Sequence, residues 1–144
     1  MTELSDIVDT FELLEDWDQR YQYLVELGER LPAFPDELRT EANHVKPCMS
    51  TVYVAASPDP DNPGQVRYRG DCDTAIIKGV LALLIDLCSG RSVAEVEAID
   101  MDEVFERLQL DEHLSPNRHV GVYAIVDLMK AQARALQTQA AATA

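Results

Sequence analysis

From about Thr74 to Ser89 the chain carries its most constraining segment. Ala75, Ile76, Ile77, Val80, Leu81, Leu83, Leu84, Ile85 and Leu87 cover nearly the whole circumference of a helix there. A helix that is apolar all round must be buried on every side. Lys78 and Asp86 interrupt it, and it falls short of the roughly 18 uninterrupted apolar residues that span a bilayer. The remaining chain must therefore supply a shell around it. At 144 residues the chain is expected to form one domain, 1–144, with a real core over about 10–137 and an Ala-rich tail, 138–144.

The shell is legible in pieces. Ser5 or Asp6 is expected to cap a first helix carrying Ile7, Val8, Phe11, Leu13 and Leu14. Trp17, Tyr21, Leu24, Val25, Gly28 and Leu31 recur at three- and four-residue steps, the period of an amphipathic helix, until Pro32 and Pro35 stop it. Leu38 to Pro47 lacks periodicity and reads as a loop. Thr51 to Ala56 and Gln65 to Arg69 read as strands joined across a Pro-, Asp- and Gly-rich turn, an antiparallel hairpin. Gly70-Asp71-Cys72-Asp73 reads as the turn into the apolar helix, with Asp73 as its cap. Ser92-Val93-Ala94-Glu95 is a capping-box start, Met101 to Leu108 a short helix, and Ser115-Pro116 the opening of a last helix that runs to about Leu136. The fold class is α+β: a small antiparallel sheet packed by several helices. A third strand has no clear signature.

Charge narrows the function. With 26 acidic and 12 basic residues the net charge is −14, which disfavours nucleic acid and anionic membrane surfaces as partners. Lysine occurs only at Lys46, Lys78 and Lys130, and this acid-rich, lysine-poor balance would suit a salt-adapted host. The acidic N-terminus lacks the basic and apolar blocks of a secretory signal. Three scattered cysteines make no disulfide framework, so a soluble cytoplasmic protein with reduced thiols is expected.

Among those cysteines, Cys48 carries the chemistry. It lies in His44-Val45-Lys46-Pro47-Cys48-Met49-Ser50, where a proline-punctuated loop gives way to the apolar run Thr51-Val52-Tyr53-Val54-Ala55. A thiol at such a junction is positioned by a strand yet reachable, as a sulfur nucleophile must be. Lys46 and His44 bring a cation and a titratable ring close in sequence, which would favour a thiolate. The alternative is a small apolar residue opening a strand. No Cys-x-x-Cys pair, nucleophile elbow or cysteine-protease signature surrounds it.

Four blocks, in order, carry a family resemblance. They are Trp17-Asp18-Gln19-Arg20-Tyr21 running to Leu31-Pro32, then Cys48-Met49-Ser50-Thr51-Val52-Tyr53, then Gly70-Asp71-Cys72-Asp73-Thr74-Ala75 running to Val80, and Leu114-Ser115-Pro116-Asn117-Arg118-His119-Val120-Gly121. Together they resemble SufE, the sulfur acceptor that works beside a group II cysteine desulfurase in iron–sulfur cluster assembly. The family usually has Gly-Cys-Gln-Ser and then Val-Trp, where this chain has Pro47-Cys48-Met49-Ser50 and Val52-Tyr53; Cys72 stands where serine is more common.

The resemblance implies that a SufS-like desulfurase, carrying its own pyridoxal phosphate, presents a persulfide that Cys48 attacks as a thiolate. The sulfur would pass to a SufBCD-like cluster scaffold, the desulfurase would be stimulated, and this chain would need no cofactor. Such a protein is a sulfurtransferase partner rather than a free-standing enzyme. The resemblance also places Asp73 and Arg118 beside the site or against the desulfurase. A solvated surface arginine is the alternative for Arg118, as ordinary surface placement is for His113 and His119. Cys88 reads as core. Cys72 is either packed like a serine or a second thiol that pairs with Cys48 or takes its sulfur. Two rival functions stay open: an iron–sulfur or zinc scaffold using Cys48, Cys72 and Cys88, and a thiol-independent acidic adaptor.

Overall fold

In the computed structural model, residues 2–46 and 50–143 are described, with side chains to residue 138. Seven α-helices and three strands lie among these residues: α1 (Leu4–Leu13), α2 (Trp17–Glu29), β1 (Val52–Pro58), β2 (Gln65–Cys72), α3 (Ala75–Cys88), β3 (Arg91–Ser92), α4 (Val93–Glu97), α5 (Met101–Leu108), α6 (Leu110–His113) and α7 (Pro116–Thr143). The α+β class read from sequence is the class observed.

The apolar helix α3 is the centre. Ten of its residues are buried, and only Asp86 and Ala75 stand clear in solvent. It packs against α2 on one side and β2 on another, while α7 crosses β1. The sheet is antiparallel in the order β1-β2-β3. Its alternation sets two faces. Val52, Val54, Val66, Tyr68, Gly70 and Cys72 point into the core, while Tyr53, Arg67, Arg69 and Asp71 lie on the other face. At Gly70 a Cβ would come within 3.0 Å of the Tyr53 carbonyl oxygen and 2.9 Å of the tip of the Leu81 side chain, so a larger residue would crowd the approach of α3 to the strand. Tyr68 is buried with its hydroxyl donating to the Met129 carbonyl at 2.6 Å, which ties the sheet to α7.

Several boundaries differ from the sequence reading, each for a physical reason. Helix α1 starts at Leu4 with Glu3 as N-cap and no side-chain capping bond. Its buried residues are Ile7, Val8 and Phe11; Leu13, two positions on, falls on the opposite face and is 82% exposed. Strand β2 continues through Gly70, Asp71 and Cys72 because each finds a partner on β1, ending in Val52 opposite Cys72. The turn into α3 is thus only Asp73 and Thr74, and Thr74, not Asp73, occupies its N-cap position. The third strand is the two-residue β3, too short to show alternation. The segment expected as loop from Leu38 holds a 3-10 turn, Glu41–Asn43, and a second, Asp36–Leu38, leads into it. Helix α7 runs to Thr143 rather than Leu136, since the Ala-rich sequence there has the highest helix propensity and nothing to break it. The capping box at Ser92 and Glu95, and the bounds of α5, fall where the sequence put them.

Candidate functional site

Pro47, Cys48 and Met49 lie outside the described residues, so the site is defined by what flanks them. On the upstream side, His44 bridges Tyr53 in antiparallel fashion, and the buried Val45 donates its N–H to the Val52 carbonyl at 2.9 Å. Residues 46–51 therefore form a connection whose two ends are hydrogen-bonded to each other. On the downstream side, the Thr51 N–H donates to the Asp73 carboxylate at 3.0 Å while the Asp73 N–H donates to the Thr51 carbonyl at 3.2 Å. The Ser50 and Thr74 hydroxyls share a hydrogen bond at 2.5 Å. Asp73 is thus committed to the chain beside Cys48 and not to capping α3.

These contacts wall one side of a cleft of about 300 Å³ lined by Ser50, Asp73, Thr74, Ile77, Ser115, Asn117 and Arg118. Ile77, 1% exposed, is its apolar wall. Helices α3 and α7 both begin at it. The Ser115 carbonyl accepts from the Arg118 and His119 amides at 3.0 Å each, and Pro116 has no N–H, so the Asn117 N–H is the first-turn donor of α7 left without an intrahelical partner. Partial positive charge at two helix N-termini and the Arg118 guanidinium then face the same space. Arg118 is exposed and its side chain meets no ion-pair or hydrogen-bond partner among the described residues. The sequence candidates Asp73 and Arg118 are brought together here, beside the segment that carries Cys48. Ser50, Thr74, Ser115 and Asn117 were not singled out beforehand; polar residues at turns give no such signal until the fold gathers them.

Other expectations shift. The Lys46 ammonium is paired with Glu41, and the His44 ring stacks on Tyr53 with centroids 5.1 Å apart. His113 and His119 are half-buried rather than surface residues. His113 stacks on Trp17 at 3.7 Å, His119 lies tilted against Phe105 with ring centroids 5.1 Å apart, and His119 Nε2 is buried with no partner among the described residues.

Cys72 is buried at the end of β2, and its sulfur accepts the Thr74 N–H at 3.4 Å. Cys88 is core, 1% exposed, and burial pushes its thiol up to about 12. A buried, protonated thiol is a poor metal ligand. No group of three or more His, Cys, Asp or Glu suited to a metal occurs among the described residues. From the ordinary thiol range near 9 upward, the unfolded chain gives up the Cys88 proton while the folded chain keeps it. That group's contribution to stability falls with rising pH, by about 1.4 kcal/mol per unit. Urea midpoints taken between pH 8 and 10.5 are expected to fall less steeply for Cys88→Ala than for the parent; identical slopes would mean the thiol titrates normally.

Residues 5–133 match the SufE family, described as an Fe-S metabolism associated domain. The chain belongs to the SufE family. An uncharacterised SufE-like protein of Rhizobium etli is 37% identical over 136 residues, covering 93% of this chain and 91% of that protein. One from Rhizobium meliloti is 35% identical over 135 residues, covering 92% and 96%. The solution structure of a hypothetical protein from Thermus thermophilus superposes with a TM-score of 0.77 at 24% identity, covering 94% of this chain and 96% of that one, a likeness of fold. Membership of the SufE family associates the chain with iron–sulfur metabolism. No helix among the described residues is long and apolar enough to cross a membrane.

Proposed function

We propose that this SufE-family protein accepts sulfur from a cysteine desulfurase onto Cys48 and relays it to a cluster scaffold. The observation that carries the reading is the cleft beside the Cys48 segment. Ser50 is one of its walls, two helix N-termini and Arg118 face it, and a two-residue tether spans at most about 7 Å, so Cys48 is within reach of it. Such surroundings favour an anionic sulfur, whether the attacking thiolate or the persulfide it becomes.

The exchange is balanced without a metal or a change of oxidation state. The Cys48 thiolate attacks the terminal sulfur of the desulfurase persulfide; that S–S bond breaks as the new one forms, and the desulfurase cysteine leaves as thiolate. The product is a persulfide on Cys48, and the desulfurase is ready for another turnover. Pyridoxal phosphate belongs to the SufS-like partner. A SufBCD-like scaffold is the expected recipient, and the reduced thiol this chemistry needs suits a cytoplasmic setting.

Intact-protein mass spectrometry after incubation with a group II desulfurase and L-cysteine tests the reading. A reductant-labile gain of one sulfur, about 32 mass units, mapped to Cys48, is the expected result. No gain with an active desulfurase and reduced Cys48 would sink it and favour a thiol-independent adaptor. Arg118 supplies a second test. Arg118→Ala is expected to raise the half-saturating desulfurase concentration about fivefold at low salt, and less at high salt, because an exposed interfacial charge acts mainly through long-range attraction. A salt-independent effect would assign Arg118 a different role.

A further inference from the structure

We infer that Arg39 is a positioning residue for the Cys48 loop, acting through Asp71. Its consequence for sulfur uptake rests on the acceptor reading of Cys48; its consequence for the loop does not.

The two arms of the loop are fastened differently. The downstream arm is β1 itself. The upstream arm, residues 34–46, holds to β1 and α7 through the His44 bridge, the Val45 N–H, and Gln132, which donates to the Asn43 side chain and to the Val54 carbonyl. Arg39 is its charged link to β2, the strand that ends at the cleft wall formed by Asp73 and Thr74. The guanidinium sits 2.8 Å from Asp71 Oδ2 and 3.3 Å from Asp36 Oδ1. It also lies 5.3 Å above the Phe34 ring and 5.5 Å above Tyr53. Tyr53 and Asp71 are opposite each other across β1 and β2, so one side chain grips both halves of a single rung.

Asp71 is two residues from Asp73, and it also receives Lys78 from α3 at 3.3 Å. Burial alone would raise its pKa, but hydrogen bonds from Arg39 and Lys78 outweigh this and hold the carboxyl below its ordinary value. The clamp is therefore charged throughout the neutral range and weakens only as pH falls through that lowered value. Side-chain exposures of 35% for Arg39 and 27% for Asp71 set this pair apart from Asp36, which is 98% exposed and adds little. What the clamp fixes is the register of the upstream arm against the strand that carries the cleft. Without it, the fraction of molecules with the upstream arm in that register falls, and apparent affinity for the desulfurase falls by that fraction while transfer within the docked complex continues.

The experiment uses Arg39→Met, Arg39→Lys, Asp71→Asn and the Arg39→Met/Asp71→Asn pair in the full chain, with two readouts. The first is the rate of Cys48 alkylation by iodoacetamide, mapped by peptide mass with no partner present. The second is sulfur uptake against desulfurase concentration. Arg39→Met is expected to change the alkylation rate at least about threefold, and to raise the half-saturating concentration about fivefold with the maximal rate within about twofold. Arg39→Lys should restore only part of this, since an ammonium cannot reproduce the planar stacking and forked hydrogen bonding. The double variant should be no worse than the more impaired single one, as expected for two groups acting as a unit. Unchanged alkylation, additive effects, or a loss confined to the maximal rate would each overturn the inference. If Cys48 of the parent takes up no sulfur, the acceptor reading fails and alkylation alone decides the role of Arg39. If Arg39→Met does not fold, Arg39→Lys carries the same comparison.

Discussion

Gly79→Ala is expected to cost at least about 3 kcal/mol, enough to consume a large share of the roughly 5–15 kcal/mol that holds a domain of this size together. On propensity alone the change should help, because alanine is favoured over glycine inside a helix by about 1 kcal/mol. Sterics decide otherwise. A Cβ on Gly79 would stand 2.1 Å from the Leu24 carbonyl oxygen and 2.5 Å from its carbon, both backbone atoms of α2. No rotamer relieves a clash with backbone, so α2 and α3 would have to separate, and the fully buried Leu24 would lose its packing. Gly28 meets the same interface from the other helix, where a Cβ would stand 3.0 Å from Gly79 N, and its replacement should be costly but milder. Urea unfolding checks both. A midpoint for Gly79→Ala at or above that of the parent would mean that the two helices do not touch there.

Cys48→Ser is expected to abolish sulfur uptake and stimulation of the desulfurase while leaving the fold and its melting temperature in place. An alkoxide is not formed at neutral pH and does not exchange with divalent sulfur, so this loss should be complete rather than graded. Cys88→Ala, whose sulfur is deep in the core with its thiol held protonated, should transfer sulfur at the parental rate. A Cys48→Ser protein that still stimulates turnover would point to an adaptor that acts by docking alone. One that lost stimulation but still bound the desulfurase would separate docking from transfer, and would agree with the acceptor reading.

The elements and their order were legible because their signals are local. The all-apolar face of α3, the capping box of α4 and the amphipathic spacing of α5 each sit within a few residues, and each element is found where its signal lies. Features made by chain partners distant in sequence were not. Asp73 reads locally as a helix cap, yet its carboxylate is taken by Thr51 across the hairpin. Cys72 reads as part of a turn until its register with Val52 extends the strand. Arg39 carries no signal at all before the fold sets it against Asp71, Phe34 and Tyr53. For the site, sequence named Cys48, Asp73 and Arg118; the structure adds Ser50, Thr74, Ser115 and Asn117 around the latter two, while Cys48 itself lies outside the described residues.

The hydrogen bond from Val45 to Val52 has a thermodynamic consequence for any partner. Bringing two points of a chain together costs entropy that a binding event would otherwise have to supply. Here folding has already closed that ring, so a docking protein does not have to bring Val45 and Val52 together. The same ring is joined to the central helix: Ser50 and Thr51 bond to Thr74 and Asp73 where α3 begins. A partner that seizes the ring therefore also pulls on the start of the most buried element of the fold.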